Sequence, residues 1–310
     1  MENQKSIVRI SVILTTYNAG KTIRRTLNSV FAQDGINRDF ELELIVIDDC
    51  STDQTPDILL EYGIDFYQTP ANSGGPNKGR NIGLEKATGD FICIMDHDDE
   101  WLPDRIITLL SVSHLAPVVS SGHIVVFGES NRKVDRHNTT SDESGIICYK
   151  KNETFLKTLS RSSGGQCSYI GSVLFNSSLK YLRFEENFGK MDYDWGLKLF
   201  EGNCSVEICR ALYYRYVDDA NLSLNLEYRD LDFYYSLMTL EHYSDMYPRQ
   251  VRQGYKRLHG TRARYFYLTG NMKKARFFFV RAGWNIKNIL YYLTTFAGSR
   301  LVKKHFTIFG

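Results

Sequence analysis

The sequence predicts an α/β fold, a mostly parallel sheet wrapped by helices, with a helical C-terminal extension. Three observations predict it. Apolar runs of strand length alternate with helix-spaced segments through the first third of the chain. Successive strand exits carry polar or acidic residues. The charge is divided: residues 246–310 hold fourteen of the 38 Lys and Arg residues and none of the 36 Asp and Glu.

Residues 10–14 form the first apolar run, and Ile23, Leu27, Val30 and Phe31 follow at helical spacing. Residues 42–47 read as a second strand ending at Asp48-Asp49. There Ser51-Thr52-Asp53-Gln54 has the pattern of a capping box for a helix reaching about Tyr62. Residues 64–67 read as a third strand, 77–86 as a helix and 91–95 as a fourth strand. In such sheets ligands bind beyond the carboxyl ends of the strands. Tyr17-Asn18, Asp48-Asp49 and the residues after Met95 all fall there, converging on one crevice.

Beyond Pro117 the alternation weakens. Residues 118–127, 173–175, 206–208 and 211–216 are strand-like, 192–200 is helix-like, and long amphipathic helices begin near Leu226.

Composition is that of a folded soluble chain: 310 residues, 43% hydrophobic and 24% charged. Six scattered cysteines without a C-x-x-C pair, and an N-terminus without an apolar signal region, suggest reduced thiols in a cytoplasmic protein. The Asn-x-Ser/Thr triplets at Asn138, Asn152, Asn176 and Asn221 then carry little meaning. The apolar stretch at residues 289–298 is too short to span a bilayer.

The most informative segment is Asp96-His97-Asp98-Asp99, directly after the apolar run Phe91-Ile92-Cys93-Ile94-Met95. Three carboxylates this close repel unless a cation neutralises them. On an extended backbone Asp96 and Asp98 point the same way and His97 the other. Two carboxylates on one side suit Mg²⁺ or Mn²⁺, with waters and phosphate oxygens completing the shell. The alternative is an acidic turn ahead of the helix expected after Pro103.

Gly20-Lys21-Thr22 imitates the end of a phosphate-binding loop, but Thr15 stands where its first glycine belongs. No Gly-x-Gly-x-x-Gly follows the first strand. A nucleotide here would need its phosphates held in another way.

Four blocks in order carry a specific resemblance: Thr15-Thr16-Tyr17-Asn18; Ile47-Asp48-Asp49-Cys50-Ser51-Thr52-Asp53; Asn72-Ser73-Gly74 with Gly79-Arg80-Asn81-Ile82-Gly83; and Asp96-His97-Asp98-Asp99. Together they resemble an inverting family 2 glycosyltransferase of GT-A fold, the bacterial surface-polysaccharide type. The likeness covers residues 6–115 closely and 160–225 loosely. It implies a catalytic domain over residues 1–225, divided into a nucleotide-binding half (1–115) and an acceptor half (116–225). A basic helical extension would occupy 226–310.

The resemblance also implies roles. Thr15 and Tyr17 would line the base and ribose of a nucleotide-sugar donor, a UDP-sugar, and Asp49 would accept from the uracil N3–H. Asp48 would assist or cap. Asp96 would contact the ribose or metal-bound water, and Asp98 would ligate Mn²⁺ or Mg²⁺, with Asp96 beside it. Asp99 would add a ligand or stabilise the turn. Arg80 would either pair with the diphosphate or brace the acidic cluster.

An inverting transfer needs a general base for the acceptor hydroxyl. The family places it in a Glu-Asp pair before an aromatic-rich helix, matched here by Lys190-Met191-Asp192-Tyr193-Asp194-Trp195, with Met191 in place of Glu. Asp192 and Asp194 diverge by about 200° on a helix, so only one can face the sugar, and Asp192 is the choice. Its alternative role is an N-terminal cap. A histidine often found near the position of Val217 is absent.

The acceptor implied is a lipid-linked or oligosaccharide glycan at the inner face of the plasma membrane. A metal-dependent nucleotidyltransferase acting on a sugar phosphate is the alternative function, although the glycine-rich triphosphate loop it needs is missing. The basic tail interleaves Arg with Tyr and Phe, as nucleic-acid binders do. Its apolar residues Ile286, Ile289, Leu290, Leu293 and Phe296 suit an anionic membrane surface better, with packing against the protein as the other reading.

Overall fold

A computed structural model of the chain describes residues 7–128, 132–140, 143–162, 164–187, 191–217 and 226–297. They fall into two compact units, residues 1–155 with 164–225, and residues 156–163 with 226–310.

The first unit is built on a sheet of strand order β3-β2-β1-β4-β9-β6-β10-β5. Its leading half alternates strand and helix: β1 (Val8–Thr16), α1 (Ile23–Phe31), β2 (Phe40–Asp48), α2 (Thr55–Glu61), β3 (Phe66–Gln68), α3 (Asn77–Lys86) and β4 (Phe91–Asp96). β1 pairs in parallel with both β2 and β4, and β2 with β3. Ile10, Val12, Ile13 and Leu14 are fully buried, as expected of a strand covered by helices on both faces. β1, β2 and β4 are longer than their apolar runs, and pairing reaches the polar residues at the strand exits, whereas the strand expected at 64–67 is shorter, Phe66–Gln68.

One local expectation needs correction. Ser51-Thr52-Asp53-Gln54 is not a capping box: α2 begins at Thr55, and Asp53 Oδ1 accepts from the Thr55 backbone N–H at 3.0 Å. Ser51 is spent elsewhere, donating through its hydroxyl to Asp48 Oδ1 at 2.5 Å. The sequence pattern marked the right stretch but assigned its donors to the wrong partners.

After the short strand β5 (Glu100–Trp101) and α4 (Arg105–Ser111), the sheet continues through β6 (Val118–Phe127), β7 (Arg132–Arg136), β8 (Ile146–Tyr149), α5 (Glu153–Leu159), β9 (Val173–Asn176), α6 (Tyr193–Phe200) and β10 (Ser205–Val217). β9 runs antiparallel to β4 and β6, so this part of the sheet is mixed rather than parallel. The two extended runs expected at 206–208 and 211–216 are one strand with register shifts around Ala211. β7 gave no sequence signal because its Arg-Lys-Val-Asp-Arg stretch is largely exposed.

α3 lies close against the sheet. A side chain at Gly79 would meet Thr15 Cγ2 at 2.9 Å, and one at Gly83 would strike Ile13. This approach brings the buried polar residues of α3, Asn77, Arg80 and Asn81, to the β4 exit and the chain before α6.

The second unit holds α7 (Leu226–His242), α8 (Pro248–Leu268), α9 (Met272–Arg281) and α10 (Ile286–Thr294). Ala263, Phe266, Tyr267, Ala275, Phe279 and Tyr291 form its core. On α10 the buried residues are Asn288 and Tyr291, whereas Ile286 is 80% exposed and Leu293 60%. No helix among the described residues is long and apolar enough to cross a membrane.

Candidate active site

The exits of β1 and β2 are knitted together by side chains. Thr16 Oγ1 donates to Asp48 Oδ1 at 2.9 Å, and Asp48 Oδ2 accepts from the Ser51 N–H and from Gln68 Nε2. Asp48 is fully buried and closes the turn after β2. Three successive N–H groups of the β1–α1 turn are also taken by side chains. Asn18 gives its N–H to Ser51 Oγ, Ala19 to Thr55 Oγ1 and Gly20 to Asp53 Oδ2, at 2.7–2.9 Å. A turn whose amides are committed in this way is no phosphate cradle.

Thr15 is buried, in register with Ile47 on one side and Asp96 on the other, and Tyr17 just beyond it is exposed. Asp49, 5% exposed, accepts from Thr69 Oγ1 at 2.8 Å, the Ser73 N–H at 2.9 Å, Ser73 Oγ at 2.9 Å and Asn72 Nδ2 at 3.2 Å. Its carboxylate organises the 69–73 loop.

At the β4 exit, Arg80 Nη2 donates to Asp96 Oδ1 at 2.8 Å. The guanidinium is buried and lies 5.4 Å from the Phe184 ring. Arg80 is thereby held against the acidic cluster at the strand exit. The extended backbone expected through Asp98 stops at Asp96, where the chain turns and the Asp99 N–H donates to the Asp96 carbonyl at 3.3 Å; His97 Nδ1 lies 3.3 Å from the Thr15 carbonyl. Thr26 Oγ1 donates to the carbonyls of His97 and Asp99, and Arg25 to that of Asp98, tying the turn to α1.

Asp98 lines a small pocket with Thr22, Arg25, Gly128, Tyr216 and Val217. Burial pushes the Asp98 carboxyl above its ordinary range and Asp96 adds to this, while His97 and Arg215 oppose it. Asp99 is turned inward, 2% exposed, with Oδ1 accepting from the Tyr216 N–H at 3.3 Å. Burial, then Asp96 and Asp98, push its carboxyl well up. The bond from the Tyr216 N–H ties the turn to β10.

Two arginines escaped the sequence reading. β5 pairs with β10 at Tyr213 and Tyr214, bringing Arg215 to the acidic turn. Arg215 lies 4.4 Å from the Tyr169 ring and acts electrostatically on both Asp98 and Asp99. Arg105, fully buried on α4, packs on Trp101 and Tyr213 and donates to the Gly171 carbonyl at 2.8 Å. The Asp99 charge also acts on Arg105. A buried charge within an apolar helical stretch was the available signal for Arg105; Arg215 had only its Tyr-rich strand.

Asp192 sits at the N-cap position of α6, and its side chain makes no cap hydrogen bond. Asp194, in the first turn of α6, pairs with Lys198 at 2.5 Å. Burial raises the Tyr169 hydroxyl pKa, and Asp96, Asp192 and Asp99 raise it further. Hydrogen bonds through Arg80 and Asn77 link Asp96 to the Met191 carbonyl beside Asp192, although 96 positions separate the two aspartates.

The family model described as "Glycosyl transferase family 2" matches residues 11–175, just over half of the chain. Over 97 residues the chain is 43% identical to the poly(ribitol-phosphate) beta-N-acetylglucosaminyltransferase TarS of Staphylococcus aureus, covering 30% of this chain. That match spans only 17% of the relative's length. The GalNAc(5)-diNAcBac-PP-undecaprenol beta-1,3-glucosyltransferase of Campylobacter jejuni is 30% identical over 189 residues, 58% of this chain and 56% of the relative. The crystal structure of S. aureus TarS 1–349 in complex with UDP-GlcNAc superposes with a TM-score of 0.58 at 20% identity. It covers 96% of this chain and 92% of that one, and establishes the fold.

Proposed function

The chain belongs to glycosyl transferase family 2, and from that membership we propose that it moves a sugar from a UDP-sugar to an acceptor hydroxyl with inversion. The observation that supports this reading is the hydrogen-bonded link from Asp96, at a β-strand exit, through Arg80 and Asn77 to the Met191 carbonyl directly before Asp192. Asp96 supports the donor side and Asp192 the acceptor side of a single crevice. The UDP-GlcNAc held by TarS supports the choice of donor.

Thr15 and Tyr17 line the nucleoside in this reading. Asp49 receives the base N–H in place of its longest present donor, Asn72 at 3.2 Å. Asp192 takes the proton of the acceptor hydroxyl as it attacks. Asp194, already paired with Lys198, leaves that task to its neighbour.

Asp98 and Asp96 would hold a divalent cation, Mn²⁺ or Mg²⁺. The donor chemistry fits: both are hard carboxylates, and Asp96 has only its Oδ1 engaged by Arg80. Among the described residues no set of three His, Cys, Asp or Glu side chains encloses an ion. The fit is therefore to an ion that keeps waters and shares substrate oxygens. When bound, such an ion offsets the charge building on a departing nucleoside diphosphate.

The acceptor in this proposal is a lipid-linked or oligosaccharide glycan of a bacterial surface polysaccharide. The relatives' names, one for poly(ribitol-phosphate) and one for a PP-undecaprenol glycan, support that class. The exposed apolar residues of α10, beside a run rich in Lys and Arg, support peripheral attachment to an anionic membrane at its cytoplasmic face. The nucleotidyltransferase alternative is disfavoured by the β1–α1 turn, whose amides are committed to Ser51, Thr55 and Asp53.

The test is a donor screen across UDP-, GDP- and dTDP-sugars with Mn²⁺, scoring transfer and hydrolysis. UDP release from one UDP-sugar well above the others supports the reading. Pyrophosphate release from UTP and a sugar phosphate would replace it with the nucleotidyltransferase.

A further inference from the structure

Asn77 is fully buried at the first position of α3, and its side-chain amide reaches two stretches of chain more than a hundred residues away. Nδ2 donates to the Glu185 carbonyl at 2.9 Å and to the Met191 carbonyl at 2.7 Å. Oδ1 accepts from Arg80 Nη1 at 3.3 Å, and the same guanidinium holds Asp96 through Nη2 at 2.8 Å. One turn further along α3, Asn81 exchanges both hydrogen bonds with the Phe184 backbone and reaches Glu186 Oε1 at 2.7 Å.

A continuous chain of hydrogen bonds thus runs from Asp96 through Arg80 and Asn77 to the carbonyl directly before Asp192. An asparagine is suited to this work. Its two N–H donors satisfy two carbonyls at once, while its oxygen accepts from a guanidinium. Met191 is 2% exposed, so its carbonyl has no water to fall back on if the amide is lost.

We propose that Asn77 is a positioning residue that sets the general base Asp192 relative to the donor-side carboxylate Asp96, so that one helix face holds both halves of the reaction in register. The inference rests on the reading of Asp192 as the base. Proton abstraction in line with a leaving group is sensitive to geometry, and a shift of about 1 Å can cost on the order of 10²-fold in rate. The donor's nucleoside, held by residues of β1 and the Asp49 loop, lies outside this chain of bonds. Asn77→Asp, which keeps the Arg80 contact and with it the hold on Asp96, therefore separates the transfer step from donor binding.

The experiment compares Asn77→Ala and the near-isosteric Asn77→Asp with the unmodified chain and with Asp192→Asn. Asn77→Asp keeps the Arg80 contact and loses both carbonyl donors. The readouts are kcat for transfer, KM for the donor, the ratio of donor hydrolysis to transfer, and the pH profile of kcat. The expected result is a fall in transfer kcat of about 10²-fold, donor KM within about threefold, a raised hydrolysis-to-transfer ratio and a displaced acidic limb of the profile, the limb a general base controls. Transfer kcat and pH profile unchanged in Asn77→Asp, beside an inactive Asp192→Asn, would overturn the positioning role alone. A parallel loss of donor affinity would overturn it as well, by making Asn77 a donor-site residue. Full transfer by Asp192→Asn would instead remove the base assignment on which the inference stands.

Discussion

Arg80 Nη2 lies 2.8 Å from Asp96 Oδ1, and it reaches that carboxylate from a helix packed tightly on the sheet that ends there. The arginine side chain is 4% exposed and the aspartate 23%, so the pair is screened on one side only. Removing one partner of a buried pair leaves an uncompensated charge, at about 3–5 kcal/mol when both are fully buried. Arg80→Ala is expected near or below the lower end, because Asp96 retains solvent. Differential scanning calorimetry should show a melting temperature lowered by several degrees. An unchanged melting temperature would mean that Asp96 does not depend on Arg80.

Asp98 carries the metal proposal. Asp98→Asn should abolish transfer and remove the Mn²⁺-dependent part of UDP binding measured by titration calorimetry. The melting temperature should hold or rise, because a carboxylate crowded by Asp96 is replaced by a neutral group. Full activity in EDTA would remove the cation from the reaction.

Asp192→Asn should reduce turnover by at least about 10²-fold, the usual scale for losing general base help. UDP-sugar affinity should stay near that of the unmodified chain. Asp194→Asn should cost little turnover, since that carboxylate is paired with Lys198. The reverse pattern in steady-state kinetics would exchange the two assignments.

His123 supplies a pH dependence of stability. It packs between Tyr169 and Tyr213, with ring centroids 5.6 and 5.4 Å away, and Cys167 Sγ is 3.5 Å from Nδ1. Burial lowers its pKa to about 4, Arg215 and Arg136 push the same way, and Asp135 opposes them. Unfolding restores a pKa near 6.5. The unfolded chain therefore binds the extra proton as pH falls from about 6.5 toward 4, and stability drops across that window. His123→Gln should flatten the fall in melting temperature between those limits. Identical slopes for the two proteins would show that the ring is not held neutral.

The α10 face predicts a lipid response. Ile286, Leu290, Leu293 and Phe296 are 46–80% exposed, and residues 246–297 carry Lys and Arg but no Asp or Glu. Each basic residue near an anionic surface contributes about 1 kcal/mol, screened within a Debye length. The full chain should sediment with phosphatidylglycerol vesicles at low salt, less at high salt, and weakly with phosphatidylcholine alone. Leu293→Glu with Phe296→Glu should release it while transfer to a soluble acceptor continues. Binding to single-stranded DNA that survives those two changes, without vesicle binding, would point to nucleic acid instead.

How far the sequence reaches can be followed residue by residue. β1, β2, β4 and α3 were legible because their periodicity is local: a strand buried on both faces reads as an uninterrupted apolar run, and a helix repeats every three or four residues. Asp48, Asp49, Asp96 and Asp98 were legible as a group because strand exits in a parallel sheet share one edge. Their partners were not. Whether Ser51 caps α2 or serves Asp48 depends on a turn geometry that the four-residue pattern leaves open.

By itself, then, the sequence determined the alternating α/β half, the acidic residues at its strand exits and the charge division of the chain. Only the tertiary structure decided which carboxylates are already spent, on Arg80, Ser51, Lys198 or the Asp49 loop. It alone brought Arg105 and Arg215 to the acidic turn and tied Asn77 to Met191. The reason is physical. Periodicity reports which face of an element is buried, whereas a hydrogen bond spanning 114 residues depends on how separate elements pack, and no local spacing encodes that.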